Sequence, residues 1–107
     1  MSLLPEIFPV PINKTMTISS TAETTLWTPS AGKKWVITDI AISGTTTMIV
    51  TLRDGLGGTI MLNTRLTSAI SFRMSLVTPI MSSAIDKILT IKTSAVTCYV
   101  TITGYEI

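Results

Sequence analysis

The residues that could carry out chemistry are few in this chain and far apart along it. Histidine is absent, which excludes catalytic triads and metal sites that depend on imidazole. The acidic residues show no spacing of a known catalytic pair; they are Glu6, Glu23, Asp39, Asp54, Asp86 and Glu106. Glycosidase-type chemistry would need carboxylates that meet only in the folded chain. We predict that the protein is not an enzyme and uses no cofactor or metal.

The single cysteine, Cys98, excludes an internal disulfide. It falls at an inward position of the last alternating segment, which predicts a small buried side chain. A reactive thiol is the weaker interpretation, because the chain has no histidine to activate it.

The most glycine-rich stretch is Asp54-Gly55-Leu56-Gly57-Gly58. A phosphate-binding loop would also need a Lys-Ser/Thr pair and a following helix, and neither is present. A calcium loop needs several carboxylates, and this stretch has one. Asp-Gly between two alternating apolar segments is instead typical of a hairpin turn.

Two tryptophans, Trp27 and Trp35, flank the turn at residues 29–33. If this region forms a hairpin, the two rings come close to each other. Exposed paired aromatic rings would bind sugars, which gives an alternative prediction of a glycan-binding site. The favoured interpretation is that these large rings close the end or the interface of a β-sandwich.

Two further sets of residues are predicted to form contacts between subunits. The outward face of the last strand carries Thr97, Tyr99, Thr101 and Thr103, a moderately polar set that suits a protein interface. The N-terminal segment carries Ile7, Phe8 and Val10 among three prolines, and we expect this extended arm to lie on its own domain or on a neighbouring subunit. Asp39 has two open interpretations, an outward charge that guards a strand edge or an ion pair with a neighbour.

The composition also indicates self-association. The chain has 107 residues, enough for one domain, and is 46% hydrophobic but only 13% charged. An average soluble domain is about 25% charged. Threonine, which favours strands, supplies about a fifth of the residues. A small domain cannot hide this much weakly polar surface internally, so we predict a homo-oligomer.

Other classes of partner are not supported by the sequence. No segment approaches the roughly 20 apolar residues of a spanning helix, so we predict no membrane contact. The first ten residues lack the basic and apolar regions of a secretory signal. The net charge is +2 without a basic stripe, so we predict no nucleic-acid binding.

The hydrophobic pattern has a period of two throughout and predicts strands. The segment 35–62 reads as three strands with turns at Ser43-Gly44 and Asp54-Gly55. Further strands are expected at 14–19, 24–28, 70–76, 89–91 (after a lead-in at 85–87) and 96–103. Residues 63–69 are open to interpretation as the end of a strand followed by a crossover loop. We expect a loop at 78–83 because of Pro79, and a strand end at Gly104. No segment shows a sustained helical period.

This pattern predicts an all-β fold: a single-domain antiparallel two-sheet β-sandwich of about eight strands, in a jelly-roll or Greek-key arrangement. A single closed barrel is the alternative. Residues 1–12 are assigned to the proline-rich arm and residues 13–107 to the sandwich.

The chain resembles small virion structural proteins of phages and prophages. The resemblance is carried by five segments: Ala31-Gly32-Lys33, residues 35–40, residues 50–55, residues 89–91 and residues 100–106. It implies a β-sandwich virion component, often trimeric, from a head decoration, neck, tail or fibre, with other virion proteins as partners. It implies a location in the virion, or in the host cytoplasm before assembly, and it carries over no catalytic residue.

Overall fold

The computed structural model describes residues 10–67 and 71–107, with only the backbone of residue 72. Its strands are β1 (Ile12–Ile18), β2 (Thr24–Trp27), β3 (Trp35–Gly44), β4 (Met48–Asp54), β5 (Thr59–Leu66), β6 (Ser71–Met81), β7 (Leu89–Thr93) and β8 (Cys98–Glu106). Ile7 and Phe8 of the predicted arm lie outside the described residues. Within the described ranges, no helix is long and apolar enough to cross a membrane.

The strands form two antiparallel sheets of four. The first sheet has the order β1-β8-β3-β6, and the second has the order β2-β7-β4-β5. The prediction of an all-β two-sheet sandwich of about eight strands is confirmed. The alternative of one closed barrel is wrong, because the described strands separate into two sheets.

The core lies between the inward faces of the two sheets. In β4 the side chains alternate, so that Met48, Val50 and Leu52 are buried while Ile49 is exposed. Cys98, Val100 and Ile102 of β8 are buried on the inner side in the same way. Burial raises the pKa of the Cys98 thiol, so this sulfur is an inert core atom, as predicted.

The predicted loop at 78–83 is wrong, because β6 continues to Met81. Ile37 of β3 pairs with Ile80, and Asp39 pairs with Ser75, so residues 76–79 bulge out opposite Thr38. A strand that contains Pro79 is possible here because β6 is an edge strand, where a missing N–H is tolerated. β5 continues to Leu66, so the segment 63–69 begins with the end of a strand, as the sequence allowed.

The predicted strand end at Gly104 is also wrong, since β8 continues to Glu106. The backbone of β3 passes so close that a β carbon at Gly104 would stand 1.8 Å from the carbonyl oxygen of Val36. Glycine is therefore required here by a close approach of two strands and does not mark a turn.

Candidate assembly interface

The outer face of the first sheet is a regular array of small polar side chains. The pairing of β1 with β8, of β8 with β3 and of β3 with β6 aligns them in rows across the sheet. The rows are Asn13, Thr103, Asp39 and Ser75; then Thr15, Thr101, Ala41 and Arg73; then Thr17, Tyr99, Ser43 and Ser71. We call these residues the outer face. Only Asp39 and Arg73 among them carry a charge, which is unusual for a solvated sheet surface.

Hydrogen bonds between neighbouring strands hold these side chains in place. The hydroxyls of Thr15 and Thr101 lie 3.3 Å apart, and Thr103 Oγ1 donates to Asn13 Oδ1 at 2.8 Å. Thr38 Oγ1 donates to the carbonyl of Thr103 at 3.1 Å. Two pairs of outer-face side chains, Thr15 with Thr101 and Asn13 with Thr103, thus satisfy part of their bonding capacity within the layer, which lowers the cost of desolvating these four against another surface.

The predicted interface residues are only partly brought together. Tyr99 is 48% exposed and lies on the outer face, with Thr101 and Thr103 half-buried beside it. Thr97 lies outside the rows, since its N–H donates to Thr45 Oγ1 in an end turn. Val10 is 69% exposed. Sequence reasoning missed the contributions of β1, β3 and β6, although polar residues alternate with apolar ones in 13–17 and 71–75.

The two tryptophans do not form a surface platform. Trp27 is 1% exposed and Trp35 is fully buried. Trp27 Nε1 donates to Glu106 Oε2 at 2.9 Å, which fixes the ring at the end of the sandwich. Neither ring is exposed enough to stack on a sugar, so the glycan alternative lacks the exposed aromatic pair on which it depended. Burial of both rings agrees with the favoured interpretation, in which they close the end or the interface of the sandwich.

Asp54 is a buried carboxylate that fastens the loop after β6. Its oxygens accept hydrogen bonds from Ser82 Oγ at 2.8 Å, from Ser83 N at 2.9 Å and from Ser83 Oγ at 2.6 Å. Lys87 Nζ lies 3.8 Å from Oδ2. Burial alone would raise the pKa of Asp54, but these donors and the nearby ammonium outweigh it and hold the pKa below its usual value.

Glu23 anchors the loop between β4 and β5. Thr90 Oγ1 donates to Glu23 Oε2 at 2.5 Å, Gly57 N donates to the same oxygen at 2.9 Å, and Arg53 Nη1 lies 3.4 Å from Oε1. The bond from Thr90 contributes most to lowering the pKa of Glu23.

Glu106 and Asp86 anchor the loop between β2 and β3. Glu106 accepts from Trp27 and from Ser30 N at 3.2 Å, and Asp86 accepts from Gly32 N at 2.6 Å. Burial would raise the pKa of Glu106, but the bonds from Trp27 and Ser30 and the charge of Lys14 outweigh it and lower the pKa.

These contacts explain what the acidic residues do. Asp54, Glu23 and Glu106 are stabilised as anions that accept bonds from loops, which makes them poor general acids or bases near neutral pH. In the part of the chain that the structure describes, no three acidic, cysteine or histidine residues come together as a metal site. Asp39 does not guard a strand edge, because β3 lies between β8 and β6.

The stability of the fold is expected to fall on acidification. A carboxylate whose pKa is lowered by folding stabilises the protein above its unfolded pKa and loses that contribution as the pH falls through the folded value. Asp54, Glu23 and Glu106 all shift downward from ordinary values of 3.8 for Asp and 4.5 for Glu. Urea midpoints should therefore change little from pH 7 to about pH 5 and fall steeply below about pH 4.5. A midpoint that rises as the pH falls through this range would contradict these anchors.

Comparison with solved structures gives several distant similarities, two of which are described below. No family model and no curated protein matches this chain. One is the structure of a VLP of the extra small virus of the giant freshwater prawn Macrobrachium rosenbergii, which is 20% identical to this chain. The similarity covers 94% of this chain and 84% of that chain, with a TM-score of 0.41. The Bacillus endospore appendages, a family of disulfide-linked pili, are 11% identical, with coverage of 92% and 89% and a TM-score of 0.41. Similarities this distant carry no argument about the function of this chain.

Proposed function

We propose that this protein is a non-enzymatic structural subunit that self-associates through the outer face of the first sheet and through its N-terminal arm. A trimer is the expected state, and a virion of phage type is the expected setting, with other virion proteins as further partners. The observation that carries the proposal is the outer face itself, a broad array of Thr, Ser, Asn and Tyr side chains with one acid and one base.

The strand order is compatible with this role but is equally compatible with other functions. The pairs β1–β8, β2–β7, β3–β6 and β4–β5 alternate between the two sheets, a pattern that supports the jelly-roll arrangement proposed from the sequence. Capsid and lectin domains both use that arrangement, so the fold alone does not separate an assembly protein from a sugar-binding one. The burial of Trp27 and Trp35 favours assembly, because it removes the aromatic pair that a sugar site would use.

The chemistry of the outer face favours a protein partner. Charged residues are depleted at the centres of protein interfaces, and Tyr is enriched there. Tyr99 stands in the last row, next to Thr17 and Ser43, and is about half exposed. The chain as a whole is poor in charge, so covering this face would reduce a surface that is weakly solvated in the monomer.

Light scattering after gel filtration tests this proposal. The full chain should give a mass of at least three times 11.5 kDa at every dilution. A chain lacking Met1–Val10 should shift toward the monomer, because the arm is expected to tie neighbouring subunits together. A monomer at every concentration would refute the proposal.

A matched pair of surface variants locates the contact. Thr101→Lys places a charge in the middle of the outer face and should lower the mass. Thr25→Lys places the same charge on an exposed threonine of β2 in the second sheet and should leave the mass unchanged. Equal behaviour of the two variants would show that the outer face is not the contact.

A further inference from the structure

The two sheets end in four edge strands, β1 and β6 in the first sheet and β2 and β5 in the second. An edge strand offers unpaired backbone groups to any passing strand, and proteins usually block this with short strands, bulges, proline or charge. β2 has 4 residues and an irregular register. β5 has an irregular register opposite Leu52 and Arg53 and carries Arg65 at an exposed position. β6 carries the bulge at 76–79 and Pro79.

β1 has almost none of these protections. It has 7 residues, and its pairing with β8 from Ile12 to Ile18 is unbroken. Its exposed side chains are Asn13, Thr15 and Thr17, which are all neutral. Its one charge, Lys14, lies half-buried on the core side and contributes to lowering the pKa of Glu106 in the same chain.

The hydrophobic core is also incompletely covered along β1. Ile12 and Met16 are only half-buried and pack against the rim of the hydrophobic core. A second strand placed beside β1 would cover these side chains and would bond the unpaired backbone groups of the edge.

We propose that β1 pairs antiparallel with β1 of a second copy of this chain about a two-fold axis, which joins the two first sheets into one sheet of eight strands. This inference rests on the proposed function, since it names one of the contacts by which the subunit self-associates. A two-fold strand contact alone gives a dimer, and together with a three-fold contact through the outer face it gives a closed hexamer when the two axes cross at right angles.

The limits of β1 fix the register of this pair. Full overlap of residues 12–18 requires Thr15 to lie opposite Thr15 of the partner subunit, and Asn13 opposite Thr17 of the partner subunit. Lys14 then lies opposite Met16 of the partner subunit and not opposite a second ammonium. The register therefore avoids a like-charge contact that a two-fold axis through Lys14 would create.

The arm of the same chain is a poor occupant of this edge. To reach β1 it would have to turn back tightly at Val10 and Pro11. Two-residue hairpin turns need positive φ at one or both central residues, whereas proline is fixed near −65° and valine resists positive φ. The edge is therefore left for another copy.

Cysteine cross-linking in a Cys98→Ala background tests the pairing and its register. Directly opposed residues of antiparallel strands place their Cβ atoms about 4.5–5.5 Å apart, within reach of a disulfide after small adjustments. Thr15→Cys should therefore form a disulfide dimer in high yield under mild oxidation. Asn13→Cys and Thr17→Cys should each react at least several-fold less alone, and should cross-link to each other in high yield when mixed. Thr25→Cys, on the exposed side of β2, is the matched control and should stay monomeric.

The outcomes separate this inference from the proposed function. If the protein is an oligomer but Thr15→Cys forms no disulfide dimer, the strand pairing is wrong and the proposed function still stands. If the protein is a monomer at all concentrations, both are wrong. A cross-link from Thr15→Cys to Phe8→Cys, in preference to itself, would show that the arm of a neighbour occupies the edge. Hydrogen exchange of the unaltered protein gives a second measurement, and protection of amides in 12–18 must rise with protein concentration if the pairing is correct.

Discussion

Gly104→Ala is expected to lower the free energy of unfolding by about 3 kcal/mol or more. The added β carbon would stand 1.8 Å from the carbonyl oxygen of Val36 and 3.2 Å from Cα of Ile37. Both atoms belong to the backbone of β3, which is held between β8 and β6 and cannot rotate away as a side chain can. Urea unfolding followed through the fluorescence of the buried tryptophans measures the change.

Gly44→Ala is the control for this exchange. Its added β carbon would lie 2.7 Å from Cε of Met48, the end of a flexible side chain that can move. We expect a loss of only about 1 kcal/mol there. If the two variants unfold at the same urea concentration, the close approach of β3 and β8 is not what makes glycine necessary at position 104.

Asp54→Asn is expected to cost about 2 kcal/mol or more at neutral pH. The amide keeps the size of the carboxylate but removes its charge, and it places a donor where Ser83 N and Ser83 Oγ now donate. Asp54 is only 1% exposed, so water cannot replace the lost bonds. The difference in urea midpoint between the variant and the unaltered protein should shrink as the pH falls, because protonation removes the same charge.

Asp86→Asn is the matched exchange for Asp54→Asn. Asp86 is exposed and accepts one bond, from Gly32 N, which the amide oxygen of asparagine can also accept. Asparagine also tolerates the positive φ of 62° at this position. A loss below about 0.5 kcal/mol is expected. If Asp54→Asn is equally harmless, the buried carboxylate does not hold the loop at 82–87.

Alternation was sufficient to predict the strands but not where two of them end. Gly104 and Pro79 are ordinary stop signals in a sequence, and in the structure both lie within strands. A glycine can mark a turn or a point where two backbones come very close. Which of the two applies depends on the neighbouring strand, and at Gly104 the neighbour is the carbonyl of Val36. Whether proline ends a strand depends on whether its nitrogen faces a partner, and β6 is an edge strand.

Only part of the candidate interface could be predicted, because the sequence pattern shows which side of a strand a residue faces but not which strands lie next to each other. Period two places Tyr99, Thr101 and Thr103 on one side of their strand, and the structure confirms that side as the outer one. The residues beside them come from β1 and β3, and strand order is decided by long-range pairing that local periodicity does not record. The same limit applies to Trp27, because its partner Glu106 lies at the other end of the chain.

The pairing of β1 with β8 also affects how the chain can fold while it is being synthesised. Ile12 pairs with Gly104, so β1 leaves the ribosome long before its partner β8 has been made. Ile12, Met16 and Ile18 stay uncovered for that whole interval, while the second sheet can already pair β4 with β5. In the nascent chain, β1 therefore remains without its partner strand for most of synthesis. During this time, neighbouring chains on the same mRNA can aggregate through β1 or, as the proposed β1 contact predicts, begin to assemble.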